Sequence, residues 1–205
     1  MSINSVHNLI VCGGLPRAAT TFLHTELTNY ENIHRSIIKE SYLFERSESF
    51  IDMKVSALND KVIYLDFTPN YIFNPIAIEK ITERKINCFF IIRKYDSWRL
   101  SLENYLKING INNKLLIDVS EAHFERSVSY AKDNFLTFEF EDVVNRTDKV
   151  IEEIQFRFNA DFGNKIREKV LKNSSEIRNH YYASFIHNKL GPLDRLSRSI
   201  LFGVL

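Results

Sequence analysis

The residues best suited to chemistry follow the apolar run LIVCGG (residues 9–14). Basic, small and hydroxyl residues fill the next turn: Arg17, Ala18, Ala19, Thr20 and Thr21. When a strand runs through glycine into a helix, unpaired N–H groups and the positive end of the helix dipole point at one place. A helix that begins near Ala18 or Ala19 is therefore typical of a phosphate or sulfate site. The alternative interpretation is a threonine-capped helix beside a solvated arginine.

The same turn argues against a loop that binds a nucleoside triphosphate. Such a loop reads G-x-x-x-x-G-K-S/T, in which the lysine reaches the terminal phosphates and the hydroxyl binds Mg²⁺. Here Ala19 stands at the position of the last glycine, and no lysine precedes Thr20. A P-loop-like nucleotide or small-molecule kinase is therefore disfavoured, but it stays as an alternative function.

A second arginine, Arg93, ends the apolar run INCFFIIR, and Ser101 follows eight residues later. If Arg93 ends a strand and Ser101 lies in the next helix, both side chains can face one pocket. A guanidinium fork and a hydroxyl suit a dianionic phosphate. The alternative is a surface pair between Arg93 and Asp96, with the serine on a solvated helix face. Together with the first loop, the phosphate site is the favoured interpretation.

The elements that must position these residues alternate between strand and helix. Three compact apolar runs are typical of central parallel strands, and a fourth segment has the period-two pattern of a strand; they cover residues 8–13, 61–67, 86–93 and 134–142. Helical spacing covers residues 20–29, 75–85, 95–108 and 144–159. Asn74 is expected to cap the second of these helices, and Asp96 or Ser97 the third. We predict one α/β domain with a mostly parallel central sheet flanked by helices. Ligands bind outside the carboxyl ends of the strands in such sheets.

Length and composition limit the function classes. The 205 residues fit one domain, 1–205, with a core of about 8–160. A net charge of +1 argues against a protein that coats nucleic acid. No run approaches the roughly 18 apolar residues of a membrane span, and MSINSVH lacks the basic leader of a signal peptide. We therefore expect a cytoplasmic protein whose two cysteines, Cys12 and Cys88, are reduced and packed in strands.

The last stretch, residues 161–205, is expected to be helical, and its part NHYYASFIHNKLGPLDRLSRSILFGVL (179–205) is rich in Tyr, His and Arg. It could line the cleft for an acceptor or cover a bound nucleotide, or it could form a packed arm. The final ILFGVL could also dock on another subunit, so a homodimer is one alternative and the oligomeric state stays open.

GGLPRAATTFL resembles the 5′-phosphosulfate loop of the sulfotransferases that use 3′-phosphoadenosine 5′-phosphosulfate (PAPS), which reads G-x-P-[KR]-[SA]-G-T-T-x-L. KESYLF (39–44) is similar to the Lys-Glu-Pro-[HY]-[FY]-Phe segment of the carbohydrate and bacterial branch. LDFTPNYI (65–72) is similar to Glu-Lys-[ST]-Pro-x-Tyr, with Phe67 in place of the lysine.

Two further motifs extend the resemblance over about residues 8–160. IIRKYDSWRLS is similar to the 3′-phosphate motif Arg-[ND]-Pro-x-x-Arg-x-x-Ser, with Tyr95 for its proline, Trp98 for its middle arginine and Arg99 one position along. FLTFEFEDVV resembles the family's late strand and Glu-Asp-Leu turn.

The resemblance implies a P-loop-like sulfotransferase fold and transfer of a sulfuryl group from PAPS to a hydroxyl or amine, with a sugar as the first choice of acceptor. It implies that residues 17–21 hold the 5′-phosphosulfate and that Arg93 and Ser101 hold the 3′-phosphate. It implies no metal, and the sequence has no HExxH or EF-hand spacing.

Glu40 is the candidate base because it matches the family's Lys-Glu position, and Lys39 could neutralise charge on the transferring group. Asp66 is a second candidate base since it closes a strand in the crevice. His34 is a weaker candidate, and His24 is expected to pack in the first helix. The departures at Ala19, Phe67 and Trp98 keep a further alternative open, a non-catalytic relative that binds an anion or a partner protein.

Overall fold

The computed structural model describes residues 8–34, 39–110 and 119–166. The chain divides after Asn164 into two compact units, and all the strands and helices named below belong to the first. Of the second unit only residues 165 and 166 are described. The prediction of a helical C-terminal part that covers an acceptor or a nucleotide therefore lies almost wholly outside the described residues.

Four short strands form one parallel sheet in the order β2-β1-β3-β4. The strands are β1 (Leu9–Cys12), β2 (Tyr64–Asp66), β3 (Asn87–Ile92) and β4 (Leu136–Glu139). β1 is buried along its whole length, and so is β3 after its first residue, because helices cover both faces of a parallel sheet. The predicted α/β class with a parallel central sheet is confirmed.

Seven α-helices lie in the part of the chain that the structure describes: α1 (Thr20–Leu27), α2 (Glu48–Ser56), α3 (Pro75–Glu83), α4 (Tyr95–Ile108), α5 (Glu121–Asn134), α6 (Phe140–Asn145) and α7 (Thr147–Phe158). Two 3₁₀ helices cover Leu43–Glu45 and Pro69–Phe73. No helix among these described residues is both long and apolar enough to cross a membrane.

The element boundaries agree with the prediction at the start of α3 and differ at several other places. β2 covers only Tyr64–Asp66 of the predicted strand 61–67, and the predicted helix 144–159 is divided between α6 and α7. Asn74 caps α3 as predicted, since its side chain accepts a hydrogen bond from the amide of Ala77 at 3.1 Å. At α4 the predicted side-chain cap is wrong, because the helix begins at Tyr95 without one. The predicted fourth strand ends at Glu139 rather than residue 142, and α6 begins there with two acidic residues in its first turn, a composition that the helix dipole favours.

The loop after β1 lies against β3. Gly13 donates a backbone hydrogen bond to Phe89 at 3.0 Å, and Leu15 donates one to Ile91 at 2.8 Å. A Cβ atom at Gly14 would collide with the backbone nitrogen and oxygen of Ile91, so glycine is required where the two segments pass. This close approach brings the loop to the carboxyl end of β3, where Arg93 follows.

Both cysteines are free and buried in strands, as predicted. Burial raises the pKa of the Cys12 thiol to about 12. A thiol in this environment stays protonated and packs as a small apolar side chain.

Candidate functional site

A pocket of about 320 Å³ opens at the carboxyl ends of β1, β3 and β4. Its lining comes from the loop and helix after β1, from the end of β3 and α4, and from the start of α6: Arg17, Ala19, Thr20, Thr21, Phe22, Arg93, Ser101 and Phe140. Six of the seven residues predicted to bind a nucleotide therefore surround one pocket. The pocket lies where the strand order reverses, as is typical of ligand sites in open parallel sheets.

The N-terminus of α1 is open to a ligand. Leu23 donates the first hydrogen bond of this helix, to the carbonyl of Ala19 at 3.0 Å, so the amides of Thr20, Thr21 and Phe22 precede it and have no partner within the helix. No side chain caps α1, and no acidic residue lies in its first turn. The threonine-capped alternative is therefore not what the structure has, and the helix dipole favours an anion here.

Ala18 differs from the other predicted loop residues. It is fully buried, and its amide donates to the carbonyl of Leu15 at 3.3 Å. Because that hydrogen bond closes the turn, the Ala18 amide is engaged inside the loop, and the residue does not line the pocket.

The loop has two residues in the left-handed region of backbone space, Arg17 with φ 64° and Ala19 with φ 62°. A residue other than glycine adopts this conformation at a cost of about 1–2 kcal/mol. Ala19 stands where the sulfotransferase pattern has glycine. Glycine adopts a left-handed φ without this cost, so the backbone of this loop would favour glycine at that position.

Arg93 connects the end of β3 to this loop. One guanidinium nitrogen, Nη1, donates to the carbonyl of Arg17 at 3.2 Å, and Nε donates to Ser97 Oγ at 3.3 Å. The guanidinium carbon lies 4.2 Å from the centre of the Phe140 ring. The alternative pairing of Arg93 with Asp96 does not occur among the described residues. Neither Ser97 nor Phe140 was predicted as a residue of this site, although each lies close after the end of a strand.

The other cations near this site have different partners. The Arg17 guanidinium lies 4.5 Å from the centre of the Tyr105 ring on α4. Arg99, next to the middle arginine of the 3′-phosphate motif, binds Glu103 at 2.9 Å and the hydroxyl of Tyr95 at 2.8 Å. Arg17 and Arg93 are therefore the two cations that line the pocket.

Lys39 and Glu40 form a second polar group at the same edge of the sheet. Lys39 Nζ lies 2.9 Å from Glu40 Oε1, and the hydroxyl of Tyr42 donates to Glu40 Oε2 at 2.8 Å. Their side chains are 17% and 32% exposed, so neither charge is fully buried. Neither residue is among those that line the pocket. The amide of Phe67 donates to the carbonyl of Lys39 at 3.0 Å, which places Lys39 beside the carboxyl end of β2.

Asp66 is buried at the end of β2, with 2% of its surface exposed. Its Oδ1 accepts hydrogen bonds from the amide of Ser41 at 3.3 Å and the hydroxyl of Thr68 at 2.6 Å, and its Oδ2 accepts one from the hydroxyl of Tyr71 at 2.9 Å. Burial raises the pKa of Asp66, and these hydrogen bonds oppose the rise. Both Asp66 and Glu40 have a donor of the chain on each carboxylate oxygen. They differ in burial, because Asp66 is 2% exposed and the Glu40 side chain 32% exposed, and the predicted role as a second base requires a carboxylate that an acceptor can reach.

The two histidines considered as candidates, His24 and His34, lie away from the pocket lining. The His24 ring packs edge-on against Phe67, with centroids 5.2 Å apart, as predicted for a packing residue. His34 stacks on Tyr64 at 4.7 Å, and its amide donates to Ile63, so it lies at the amino end of β2. Lys39 and Glu40 lie at the carboxyl end, which separates His34 from them.

No group of three or more His, Cys, Asp and Glu residues in the described ranges is placed to hold a metal ion.

No protein-family profile and no curated protein matches the sequence. Several solved structures have a similar fold. A sulfotransferase from Alicyclobacillus acidocaldarius is 12% identical, with a TM-score of 0.57 over 89% of this chain and 96% of that one. The sulfotransferase domain from the curacin biosynthetic pathway is 12% identical, with a TM-score of 0.54 over 77% and 75%.

The sulfotransferase domain from the olefin synthase of Synechococcus PCC 7002 is 13% identical, with a TM-score of 0.52 over 95% of this chain and 93% of that one. At such low identity the similarity shows the fold alone. The chain has the P-loop-like sulfotransferase fold.

Proposed function

We propose that this protein is a PAPS-dependent sulfotransferase that transfers a sulfuryl group to an acceptor hydroxyl or amine, with a sugar as the first choice. The observation that carries the proposal is the pocket at the ends of β1 and β3. It joins the N-terminus of α1, with Arg17, to a second basic and hydroxyl pair, Arg93 and Ser101. Two separate anion sites in one pocket suit a nucleotide that is phosphorylated at both 3′ and 5′ positions.

The donor set of the pocket fits such a nucleotide. The α1 amides, the hydroxyls of Thr20 and Thr21 and the Arg17 guanidinium favour the 5′-phosphosulfate. Two nitrogens of Arg93, Nη1 and Nε, donate hydrogen bonds within the protein, and Nη2 is the nitrogen that can donate to the 3′-phosphate. Ser101 adds a hydroxyl for the same phosphate. No carboxylate lines this pocket. The lysine that a triphosphate loop requires is missing at its position, which speaks against the kinase alternative.

The reaction replaces one S–O bond by a bond from sulfur to the acceptor. The acceptor oxygen or nitrogen attacks sulfur, the bond from sulfur to the phosphate oxygen breaks, and 3′-phosphoadenosine 5′-phosphate (PAP) leaves with the electron pair. PAPS supplies the sulfuryl group and this phosphate leaving group. By analogy with in-line phosphoryl transfer, positioning and charge stabilisation supply most of the catalysis.

Glu40 is the proposed base for the proton of the acceptor. The hydroxyl of Tyr42 and the ammonium of Lys39 each hold one of its carboxylate oxygens, so the carboxylate has a defined orientation. Lys39 also offers a positive charge to the leaving group or the transferring group. The resemblance of KESYLF and DFTPNY to the carbohydrate branch supports a sugar acceptor, and a cytoplasmic location without nucleic-acid partners belongs to the same proposal.

Ligand binding followed by transfer tests this function. PAP at about 100 times its dissociation constant should stabilise the fold by about 2.7 kcal/mol, which raises the melting temperature by about 5–10 °C for a chain of this length. Adenosine 5′-phosphate, which lacks the 3′-phosphate, is the matched control and should bind at least about tenfold more weakly. Radiolabelled sulfuryl transfer from PAPS to a panel of sugars then identifies the acceptor. A larger shift with ATP and Mg²⁺ would favour the kinase.

One observation favours the non-catalytic alternative. Phe67, at the position of a lysine in the family pattern, is fully buried between His24 and Phe89. If PAP binds but no acceptor is sulfated, that alternative replaces the enzyme.

A further inference from the structure

The segment 39–44, which carries Lys39 and Glu40, is held by three side chains at and after the end of β2. Three of its backbone amides donate to three different side chains: Ser41 to Asp66 Oδ1 at 3.3 Å, Tyr42 to Thr68 Oγ1 at 3.2 Å and Phe44 to the hydroxyl of Tyr71 at 3.1 Å. In the opposite direction, the amide of Phe67 donates to the carbonyl of Lys39 at 3.0 Å.

These three side chains, the Asp66 network, have one consistent hydrogen-bond direction. A backbone amide can only donate, so the hydroxyl oxygens of Thr68 and Tyr71 accept hydrogen bonds from the segment. The same two hydroxyls donate hydrogen bonds to the Asp66 carboxylate. Thr68 Oγ1 lies 2.6 Å from Asp66 Oδ1, and the hydroxyl of Tyr71 lies 2.9 Å from Oδ2. The carboxylate thus orients both hydroxyls toward the segment.

The three side chains of the network are shielded from water, since Asp66 is 2% exposed and Thr68 and Tyr71 are fully buried. Removal of one hydroxyl therefore leaves a backbone amide of the segment and a buried carboxylate oxygen each without that partner. The segment also contains Tyr42 with φ 51°, a left-handed conformation that only surrounding contacts can maintain.

Glu40 lies between two anchored peptide groups. The carbonyl of Lys39 accepts from Phe67 on one side, and the amide of Ser41 donates to Asp66 on the other. Lys39 and Tyr42, whose side chains bind the Glu40 carboxylate, belong to the same anchored segment. The position of the carboxylate therefore depends on the Asp66 network although none of its three members touches it.

We propose that Asp66, Thr68 and Tyr71 are positioning residues that hold Glu40 and Lys39 in place for proton transfer and charge stabilisation. This inference rests on the proposed function, in which Glu40 is the base. It gives Asp66 a role other than that of a second base.

Thr68→Val tests the inference, because it removes the hydroxyl that joins Tyr42 to Asp66 and changes the side-chain volume little. We expect the turnover number for sulfuryl transfer to fall at least about tenfold, while the dissociation constant of PAP stays within about twofold. Thr68→Ser keeps the hydroxyl and should restore turnover. Thr82→Val on α3, whose hydroxyl donates to Ile78 in its own helix, is the matched control and should change neither quantity.

Amide hydrogen exchange gives a readout that does not require turnover. In the wild-type protein the amides of Ser41, Tyr42 and Phe44 should exchange slowly, and in Thr68→Val the Tyr42 amide should exchange at least about tenfold faster, far below the melting temperature. The amides of α3 should not change. Equal exchange in Thr68→Val and wild type overturns the inference, whatever the activity.

Further outcomes separate this inference from the proposed function. Unchanged turnover in Thr68→Val, or an equal loss in Thr68→Ser, overturns positioning. If the wild-type protein transfers no sulfuryl group, the proposed function is wrong, and so is the assignment of Glu40 as the base. This holds even if the amides of the segment exchange slowly. If Thr68→Val does not fold, Tyr71→Phe removes a single oxygen from the same network, with the half-exposed Tyr130→Phe on α5 as its control.

Discussion

The indole nitrogen of Trp98 donates a hydrogen bond to the carbonyl oxygen of Pro16 at 2.9 Å. The next carbonyl of the loop, that of Arg17, accepts from Arg93 at 3.2 Å. Two consecutive carbonyls before α1 are thus tied to the chain at and after the end of β3. Trp98 stands at the position of an arginine in the 3′-phosphate motif and is 1% exposed. It therefore binds the loop from the protein core.

Trp98→Phe should weaken nucleotide binding, because it removes the N–H donor and keeps an aromatic ring against Phe73 and Phe124. We expect PAP to bind about three- to tenfold more weakly and the free energy of unfolding to fall by about 1–3 kcal/mol. Tyr95→Phe on the same helix removes the hydroxyl that contacts Arg99 and is the control. Calorimetry with PAP and a urea titration measure both quantities. Wild-type affinity in Trp98→Phe would show that the loop keeps its conformation without the tether.

Arg93→Ala should weaken PAP binding at least tenfold, which is about 1.4 kcal/mol. The change removes a cation from the pocket and also the donor to the Arg17 carbonyl. Arg157→Ala on α7 is the matched control, since that side chain is 58% exposed and pairs only with Glu153 among the ion pairs described. An unchanged dissociation constant by calorimetry would remove Arg93 from the proposed 3′-phosphate site.

Glu40→Gln should lower turnover by about 10²–10⁴-fold, the range typical of a lost general base. PAP affinity should stay near wild type, because Glu40 does not line the nucleotide pocket. The exposed Glu83→Gln at the end of α3 is the control. Retained turnover would assign proton transfer to another group.

Ala19→Gly should stabilise the protein slightly. Glycine adopts a left-handed φ without strain, which stabilises the folded state, but it also gives the unfolded chain more conformational freedom, which stabilises the unfolded state. We expect the first effect to be larger, so the free energy of unfolding should rise by about 0.5 kcal/mol. Ala131→Gly, in α5, should instead lose at least about 1 kcal/mol, since it weakens the helix and also removes a buried methyl group. Urea titrations compare the two. An equal loss at both positions would contradict the account of the loop backbone.

Glu48 should contribute to the pH dependence of stability. Its carboxylate, on α2, forms an ion pair with Arg84, which follows α3. The hydrogen bond from Arg84 lowers the pKa of Glu48 below its ordinary value of 4.5. A carboxyl with a lowered pKa stabilises the fold above its ordinary pKa and loses that effect as the pH falls through the lowered value. Glu48→Gln should therefore melt at a lower temperature than wild type at pH 7.

The difference between Glu48→Gln and wild type should close as the pH falls below 4.5. Glu153→Gln, which removes the exposed pair with Arg157, is the control and should show a smaller difference at pH 7. Thermal melts from about pH 7 to about pH 3 measure it. A gap that persists at the acidic end would show that the effect comes from packing rather than from charge.

Local patterns determined much of the fold. β1 and β3 are continuous apolar runs because both faces of the sheet are covered, and Asn74 with Pro75 marks the start of α3. α5 was missed although Ser120 caps it and Phe124, Val128 and Ala131 form its buried face. The end of β4 was predicted too late, since the alternating pattern continues into the first residues of α6.

The sequence by itself also predicted six of the eight residues that line the pocket, because parallel strands bring their carboxyl ends, and the residues that follow them, to one edge. Only the tertiary structure decided how those residues are used. Asp66 binds a segment 25 residues earlier in the chain, and Trp98 binds a carbonyl 82 residues earlier. Such partners depend on which loops meet after packing, and no local pattern records that. The left-handed φ of Ala19 likewise follows from how the loop is held between β3 and α4.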